Sequence, residues 1–385
     1  MKNITERRRG LRTWIEIDQG AIKNNYSVFR KLIGQRLLMG VVKSNAYGHD
    51  LVTFSKALNR LGVDYFGVDS IVEGNALRRS GIKKPVLVLG YTLPERILEA
   101  VKGGISITIA DFDSLEAVMR LSKKIVKQSE KLKIHIKIDT GMHRQGFFLE
   151  DIPRLLEALK SINNIKIEGI YTHFSSAKDP VRPKETLKQI YIFKKVIDQF
   201  KKSEYKDLIK HSNASSGTLI FPHSNFDMVR IGIGLCGLWP SKETEKNYKN
   251  KITLKPVLSW KTIVSQIKNL PKGSRVGYDL TENVKKQTRI AILPIGYWHG
   301  FPRALSSRGF VLINGKKAKV IGRVSMDMIA VNVSGIKGVK VGDEVVLIGK
   351  SGESVLPVET MAELSDSTSY EIITRLNPLI KRIFY

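Results

Sequence analysis

The stretch LLMGVVKSNAYGHDLVTFSKALNRLG, residues 37–62, contains an apolar run, a polar turn and a helical pattern in direct succession. The first part is apolar up to Val42, and Lys43 then opens a run of polar side chains. The last part has apolar residues at positions 51, 54, 58 and 61, which is the spacing of one helix face, and Gly62 is suited to cap that helix. The stretch therefore predicts a βα unit whose strand delivers a lysine into a polar turn.

Seven further short apolar runs repeat this pattern up to residue 235, with helical spacing between them. They are YFGVDS (65–70), PVLVLG (85–90), SITIAD (106–111), KIHIKIDT (133–140), IEGIYTHF (167–174), IKHSNAS (209–215) and MVRIGIGL (228–235). Strands that alternate with helices form parallel sheets, and eight such strands favour a (β/α)₈ TIM barrel. The alternative is a doubly wound sheet, but no GxGxxG fingerprint follows the first strand.

The pattern changes after Pro240, where the charged run SKETEKNYKNK (241–251) is interpreted as a linker. Short strands follow it, and NGK at 314–316 is a tight hairpin signal. Helices are expected only near residues 356–365 and 369–377. We therefore predict an N-terminal α/β barrel domain at residues 1–245 and a mainly-β C-terminal domain at residues 246–385. Whether the first N-terminal strand joins the β domain stays open.

The composition narrows the classes of function. A formal net charge of +28 suggests nucleic-acid binding, but the basic clusters are scattered and lack the interleaved aromatics of a stacking platform. We therefore expect no nucleic-acid partner. No apolar run approaches the roughly eighteen residues of a membrane span and no secretory signal follows the basic N-terminus, so we expect no membrane contact and a cytoplasmic location. The single cysteine, Cys236, excludes an intramolecular disulfide, and no spacing predicts a metal site.

Polar side chains collect at the ends of the predicted barrel strands, where the chemistry of such barrels takes place. They are Lys43, Tyr47, Lys137, Asp139, Arg144, His173, His211, Asn213, Ser215, Ser216 and Arg230, and Gly232 and Gly234 follow in the eighth strand. Each residue alone is more often structural, but their joint placement suits a phosphate-bearing carbonyl cofactor. A lysine amine can bond its carbonyl carbon, and Gly-rich turns let backbone N–H groups reach its phosphate.

The motif VVKSNAYGHD resembles the pyridoxal-phosphate lysine motif of alanine racemases. Eight further motifs match the same family in the same order: KIDTGMHRQG, GIYTHFSSAKD, HSNASSG, MVRIGIGLCGLWPS, RVGYD, PIGYWHGFPR, GRVSMDM and SYEIITRLNPLIKRIF. The resemblance implies a barrel domain, a β domain and pyridoxal 5'-phosphate as cofactor. It also implies a homodimer in which the β domain of one subunit completes the barrel mouth of the other. The implied activity is that of an isomerase that interconverts L-alanine and D-alanine and supplies D-alanine for cell-wall peptidoglycan.

The resemblance also implies a role for individual residues. The expected cofactor-binding residues are Lys43, Tyr47, His173, Ser215, Arg230, Gly232, Ile233 and Tyr370. Those expected at the substrate are Arg144, Met326 and Tyr297. Lys43 and Tyr278 are the expected catalytic bases, acting on the D- and the L-enantiomer respectively. Lys137 matches a position that is carbamylated in many members of the family.

Two alternatives remain open from the sequence. One is a racemase of broader or different specificity, for example for serine or lysine, because Asp279, Trp298 and His299 depart from the family pattern near the entrance motif. The other is a pyridoxal-phosphate decarboxylase of basic amino acids. A decarboxylase is expected to have a glutamate where this chain has Arg230, so Arg230 is the main discriminator.

Overall fold

The chain folds as two compact units in a computed structural model that describes residues 4–126, 131–162, 164–179 and 181–385. The barrel unit, as it is called here, consists of Ile22–Ala46 and Leu51–Lys255. The β unit consists of Met1–Ala21, Tyr47–Asp50 and Pro256–Tyr385.

Strand β1, Thr13–Ile17, lies in the β unit, and the next eight strands form the sheet of the barrel unit. These are β2 Leu37–Val41, β3 Tyr65–Val68, β4 Val86–Val88, β5 Ser106–Ile109, β6 Leu132–Lys137, β7 Ile165–Tyr171, β8 Ile209–His211 and β9 Met228–Ile231. All ladders are parallel, in the order β8-β7-β6-β5-β4-β3-β2-β9. Backbone bonds from Asp227 to Lys210 and from Arg230 to Asn213, both 3.0 Å, join the two end strands. The predicted eight-stranded parallel barrel is confirmed.

Helices follow the barrel strands as the apolar spacing predicts. Up to residue 255 they are Ile4–Arg7, Gln19–Ile33, Leu51–Leu61, Ile71–Arg79, Ile97–Lys102, Phe112–Val126, Ile152–Lys160, Lys184–Lys201, Ser215–Ile220 and Lys242–Tyr248. Gly62 ends the helix Leu51–Leu61 with φ of 95°, a conformation that costs free energy for a residue with a side chain. None of the helices in the described part of the chain is both long enough and apolar enough to cross a membrane.

The charged segment 241–251, interpreted as a linker, contains the helix Lys242–Tyr248. Ser241 caps this helix, since its hydroxyl accepts a hydrogen bond from the backbone N–H of Thr244. Charge alone suggested a solvated linker, whereas a serine followed by Glu243 and Glu245 is a helix-start signal. The domain boundary predicted between residues 245 and 246 falls inside this helix, and the two compact units meet between Lys255 and Pro256.

The β unit is built on an antiparallel sheet, and its mainly-β character is confirmed. Its further strands are β10 Leu258–Ile263, β11 Gln266–Leu270, β12 Arg275–Val276, β13 Glu282–Asn283, β14 Thr288–Leu293, β15 Phe310–Ile313, β16 Lys316–Ile321, β17 Ile329–Asn332, β18 Glu344–Ser351, β19 Ser354–Leu356 and β20 Lys381–Phe384. The main order is β11-β14-β17-β16-β15-β18-β10-β1-β20. The N-terminal strand β1 therefore joins this sheet, antiparallel to β10 and parallel to β20.

Local signals in the β unit were informative at the hairpin and the helices. Asn314 and Gly315 have φ of 48° and 74° between β15 and β16, as a two-residue hairpin turn requires. The helices Val358–Leu364 and Ser369–Thr374 form in the two predicted segments. The apolar sequence LSWKTIVSQI, residues 258–267, is divided between β10 and β11, which pair with different strands.

Candidate active site

Lys43 lies two residues after the end of β2, at a point where the backbone turns into a left-handed conformation. Ser44 and Asn45 have φ of 55° and 56°, which costs free energy for residues with a side chain. Glu73 holds the turn, because its carboxylate accepts the backbone N–H of Ser44 at 2.7 Å and that of Asn45 at 3.4 Å. Nζ of Lys43 lies 3.4 Å from Asp69 and the side chain is 39% exposed. The turn thus presents an accessible amine at the carboxyl end of the barrel.

Arg144 lies in a loop after β6 that a single carboxylate organises. Oδ1 of Asp139 accepts the backbone N–H groups of Gly141, Met142 and His143 at 2.8, 3.0 and 3.1 Å. These three bonds lower the pKa of Asp139 against the opposing effect of its burial, which is the largest single influence. The loop is therefore ordered, and it carries the exposed guanidinium of Arg144 at the same end of the barrel as Lys43.

Lys137 is the last residue of β6 and is only 4% exposed. Its Nζ lies 4.4 Å from the ring centroid of Tyr171. Burial lowers the pKa of Lys137 well below the ordinary lysine value, and the positive charges of Arg230 and Arg144 lower it further, while Asp139 opposes them. The position therefore favours a neutral amine.

Arg230, in β9, is 3% exposed and is held by four neutral acceptors. Its guanidinium donates to the carbonyls of Thr172 and Ser212 at 2.8 and 2.7 Å. It also lies 3.0 Å from Nδ1 of His211 and 3.2 Å from Nδ1 of His173. Burial lowers the pKa of Arg230 to about 10, so the group still carries its charge at neutral pH. The result is a rigid cationic donor inside the barrel.

The two histidines beside Arg230 are neutral acceptors. Burial lowers the pKa of His173 and of His211 well below the usual range, and the charge of Arg230 adds to this effect. The ring of His211 stacks on that of Tyr171, with 4.7 Å between centroids and 7° between planes. Because an arginine can only donate, both histidines must present an unprotonated Nδ1 to it.

A group suited to an anion lies where β8 and β9 end. Ser215 is 4% exposed, and its hydroxyl accepts the backbone N–H of Gly234 at 3.3 Å. Gly232 and Ile233 follow β9 directly and are buried. A side chain at Gly234 would meet the ring of Phe29 at 2.5 Å, so glycine is required there for close packing. Ser215 and the backbone of this glycine-rich turn are the chemistry expected around a phosphate.

Two predicted phosphate-binding tyrosines lie together in the β unit. The rings of Tyr47 and Tyr370 meet edge to face, with centroids 6.2 Å apart. Arg382 fixes the turn after Tyr47, because its Nε donates to the carbonyl of Gly48 at 3.1 Å. Gly48 has φ of 82° and a side chain there would meet the carbonyl of Ile373 at 2.0 Å, so the close approach requires glycine.

The predicted substrate residues Tyr297 and Met326 also lie together in the β unit. The N–H of Tyr297 donates to the carbonyl of Ser325, and the N–H of Trp298 to that of Met326, both at 3.0 Å. The side chains of Tyr297 and Met326 are 45% and 54% exposed. Two neighbouring loops are thus tied together while their side chains face solvent.

Tyr278, the predicted second base, is 70% exposed in the β unit. It begins the short 3₁₀ turn Tyr278–Leu280. Asp279, one of the departures from the family pattern, has φ of 57° and forms an ion pair with Arg323 at 2.7 Å. Aspartate tolerates this left-handed conformation better than most residues, which explains how it can stand where glycine is common in the family.

Several residues at the site were not singled out from the sequence. Glu73 contacts the turn that carries Lys43, and Tyr171 contacts Lys137. His135 and Glu168 are buried inside the barrel. A signal existed for His135, because it precedes Lys137 by two residues on one strand and so shares its face. Glu73 is recognisable as the fourth residue of a Ser-x-x-Glu helix start at Ser70, but nothing local predicts that its carboxylate reaches a turn 29 residues earlier in the chain.

The family models that match the chain cover both units. A model described as alanine racemase, N-terminal domain, matches residues 17–240, and one described as alanine racemase, C-terminal domain, matches residues 257–384. An alanine racemase of Halothermothrix orenii is 38% identical over 374 residues, with 96% of each chain covered. One of Methanococcus maripaludis is 36% identical, covering 96% of this chain and 98% of the relative.

Solved structures show the same similarity. Alanine racemase from Bacillus anthracis with bound L-Ala-P superimposes with a TM-score of 0.91 at 34% identity, covering 97% of this chain and 95% of that one. Alanine racemase from Bartonella henselae with covalently bound pyridoxal phosphate gives a TM-score of 0.86 at 27% identity, with 97% and 99% covered. The likeness extends over both units of the chain.

Proposed function

The chain belongs to the alanine racemase family, and from this membership we propose that it is an isomerase that interconverts L-alanine and D-alanine with pyridoxal 5'-phosphate. The observation that carries the proposal is the pairing of an accessible lysine, Lys43, with a buried arginine, Arg230, in one barrel. A cytoplasmic location and a supply of D-alanine for peptidoglycan are proposed on the family alone.

The donors of the barrel unit fit pyridoxal phosphate by their chemistry. Lys43 offers an amine for the carbonyl carbon, Arg230 a donor for the ring nitrogen, and Ser215 with the backbone at Gly232 and Ile233 a cradle for the phosphate. Tyr47 and Tyr370 are proposed to bind the same phosphate from the β unit. When bound, the cofactor withdraws electrons from the amino acid and so makes its α-proton easier to remove.

Arg230 sets the type of reaction in this proposal. A guanidinium donates a hydrogen bond to a ring nitrogen without transferring its proton. The cofactor ring then withdraws fewer electrons than a protonated ring, and a proton returning to the α-carbon is favoured over one returning to the cofactor. A glutamate or aspartate at position 230 would have supported a decarboxylase or an aminotransferase instead.

Two bases on opposite faces of the α-carbon are proposed to move the proton. Nζ of Lys43 takes it from D-alanine or delivers it to form D-alanine, and the phenol oxygen of Tyr278 does the same for the L-enantiomer. His173, which contacts Arg230 at 3.2 Å, is proposed to support the region between Tyr278 and Arg230. Loss of Tyr278 should therefore stop racemisation in both directions and leave α-proton exchange only in D-alanine.

The substrate carboxylate is proposed to bind between Arg144 and the backbone N–H of Met326, with Tyr297 narrowing the entrance. The positive charge of Arg144 attracts the carboxylate, and a hydrogen bond from the N–H of Met326 orients it. A narrow entrance lined by Tyr297 suits a small side chain such as a methyl group. Specificity for serine or lysine remains the alternative within the same mechanism.

We infer that Lys137 is carbamylated, because a neutral buried amine is the form that reacts with carbon dioxide. The resulting negative charge would then orient Arg144. Protein equilibrated with ¹³C-bicarbonate should show a carbamate carbon signal that disappears in Lys137→Met but persists in Lys102→Met. Identical spectra for wild type and Lys137→Met would reject the modification.

A homodimer with shared sites is proposed to place Tyr278 and Met326 of one subunit at the barrel mouth of the other. The support is their exposure in a single chain, 70% and 54%, since a proton transfer protected from water needs these groups to be covered.

The proposed activity is tested with purified protein, pyridoxal phosphate and single amino acids. Chiral chromatography should detect D-alanine growing from L-alanine faster than D-serine from L-serine or D-lysine from L-lysine. Carbon dioxide released from L-lysine would support the decarboxylase alternative. No turnover of any amino acid by the cofactor-bound protein would reject an enzymatic role.

A further inference from the structure

A row of buried polar side chains crosses the barrel interior from Arg230, and the proposed mechanism does not use it. Nη1 of Arg230 lies 3.0 Å from Nδ1 of His211, and Nε2 of His211 lies 3.0 Å from Nδ1 of His135. Nε2 of His135 in turn lies 4.0 Å from the carboxylate of Glu168. Both imidazole rings are fully buried. We call these four residues the relay.

While Arg230 stays in contact with His211, it fixes the direction of both hydrogen bonds in the relay, because an arginine can only donate. Nδ1 of His211 must accept, so the proton of this neutral ring is on Nε2 and is donated to Nδ1 of His135. The proton of His135 is then on Nε2, a buried atom that has no hydrogen-bond partner among the described residues. The Glu168 carboxylate at 4.0 Å is the negative charge that favours a proton at that atom.

A backbone irregularity brings Glu168 into the interior. Ile134 pairs with Ile167 and His135 pairs with Gly169, so Glu168 is the extra residue of a β-bulge in β7. Its side chain is 9% exposed. A side chain at Gly169 would meet Nδ1 of His135 at 2.6 Å, so the glycine makes room for the imidazole. The adjacent residues Glu168 and Gly169 thus together accommodate one buried histidine.

The carboxylate is held in place within the barrel. Oε2 of Glu168 accepts the hydroxyl of Ser106 at 2.6 Å, and Oε1 lies 3.5 Å from Nζ of Lys166. At the other end, the four side-chain and backbone acceptors of Arg230 are all neutral. A buried cation surrounded only by neutral groups is costly, and oriented imidazoles between it and a carboxylate reduce that cost.

We propose that Glu168, acting through His135 and His211, is a positioning residue that holds Arg230 as a fixed donor toward the cofactor ring. This proposal rests on the proposed function. Without the carboxylate, His135 is free to carry its proton on Nδ1 and donate to His211. His211 would then carry its own proton on Nδ1, where it faces an N–H group of Arg230, and the arginine would be displaced.

The tautomers are tested in the cofactor-bound enzyme labelled with ¹⁵N-histidine. The seven histidines can be assigned by single substitutions to glutamine. Wild type should show His135 and His211 protonated only on Nε2. A proton on Nδ1 of either ring, or on both nitrogens, would overturn the proposal. This measurement needs no substrate. If both histidines are protonated only on Nε2 but the enzyme does not racemise alanine, the proposed function is rejected while the relay stands.

Variants connect the relay to turnover. Glu168→Gln should lower kcat about tenfold with KM unchanged, and should produce an Nδ1-protonated population of His135. Ser106→Ala, which removes only the hydroxyl that holds the carboxylate, should cause the same changes to a smaller extent and serves if Glu168→Gln does not fold. Glu157→Gln, at an exposed ion pair with Lys160, is the matched control. Lower kcat with unchanged tautomers would show a merely structural role and overturn the proposal.

Discussion

The predicted site residues of the barrel unit and those of the β unit differ most in their burial. Lys137, His211 and Arg230 are at most 4% exposed, whereas Tyr278 and Met326 are 70% and 54% exposed. Burial lowers the pKa of all three barrel residues, so the chain itself sets their charge. The exposed residues remain in contact with water until something covers them. The difference in burial supports the proposal that the barrel unit alone prepares the cofactor site, while the proposed second base depends on assembly.

The largest effect is expected from Lys43→Ala. The variant should lose all turnover and the absorbance of covalently held cofactor, because Lys43 is the exposed amine that the turn held by Glu73 presents at the barrel mouth. Lys56→Ala is the control, on the helix Leu51–Leu61. Absorbance spectra recorded after gel filtration show whether the cofactor stays covalently bound. Cofactor that stays covalently bound in Lys43→Ala would mean that the site has been assigned to the wrong lysine.

Mixing two inactive variants tests whether the β unit acts across a dimer. Lys43→Ala and Tyr278→Phe should each be inactive from L-alanine, but a mixed dimer has one intact site if Tyr278 serves the partner. After denaturation and refolding together in equal amounts, about a quarter of wild-type activity should return, since roughly half of the dimers are mixed. No recovery, with mixed dimers demonstrated by native mass spectrometry, would place both bases in one chain.

The smallest expected effect is a loss of folding stability in acid, which tests whether His135 is neutral inside the barrel. Burial lowers the pKa of His135 to about 3, while an unfolded histidine titrates near 6.5. Between these values the unfolded chain binds a proton that the folded chain does not. The free energy of unfolding should therefore fall as the pH falls from 6.5 toward 3, by up to about 1.4 kcal/mol per pH unit for this residue.

Denaturant titrations between pH 4 and 6.5 measure this contribution. His135→Gln should reduce the pH slope of the unfolding free energy by about 1.4 kcal/mol per pH unit relative to wild type. His223→Gln, at an exposed position, is the matched control. Equal slopes for all three proteins would show that His135 does not remain neutral in the folded state.

The architecture could be predicted because each barrel strand is a continuous apolar run between helical patterns. The sequence interpretation failed where a side chain reaches across the fold or where a register shifts. In IKIEGIY, residues 165–171, simple alternation places Glu168 on the opposite face from Tyr171, whose ring lies in the barrel interior beside Lys137 and His211. The bulge between β6 and β7 reverses this placement, and no local signal in the sequence announces it.

The site residues, like the fold, were predictable from the sequence only where local position determines them. The groups at strand ends, such as Lys43 and Arg230, follow from strand position alone, because all parallel strands end at one side of the barrel. Tyr278 and Met326 were predicted from the family resemblance only, and their joint action with the barrel residues stays a proposal. The charge and the tautomer of these side chains depend on burial and hydrogen bonding. Both arise from contacts between segments that are distant in the sequence, so local patterns do not predict them.

The central claim is that two bases act on opposite faces of the α-carbon, and hydrogen exchange in deuterated water tests it most directly. Tyr278→Phe should exchange the α-proton of D-alanine at Lys43 without forming L-alanine, and should leave L-alanine unlabelled and unconverted. Mass spectrometry combined with chiral chromatography measures both quantities in one sample. Deuterium entering L-alanine at the wild-type rate in this variant would contradict the assignment of Tyr278 and with it the two-base account.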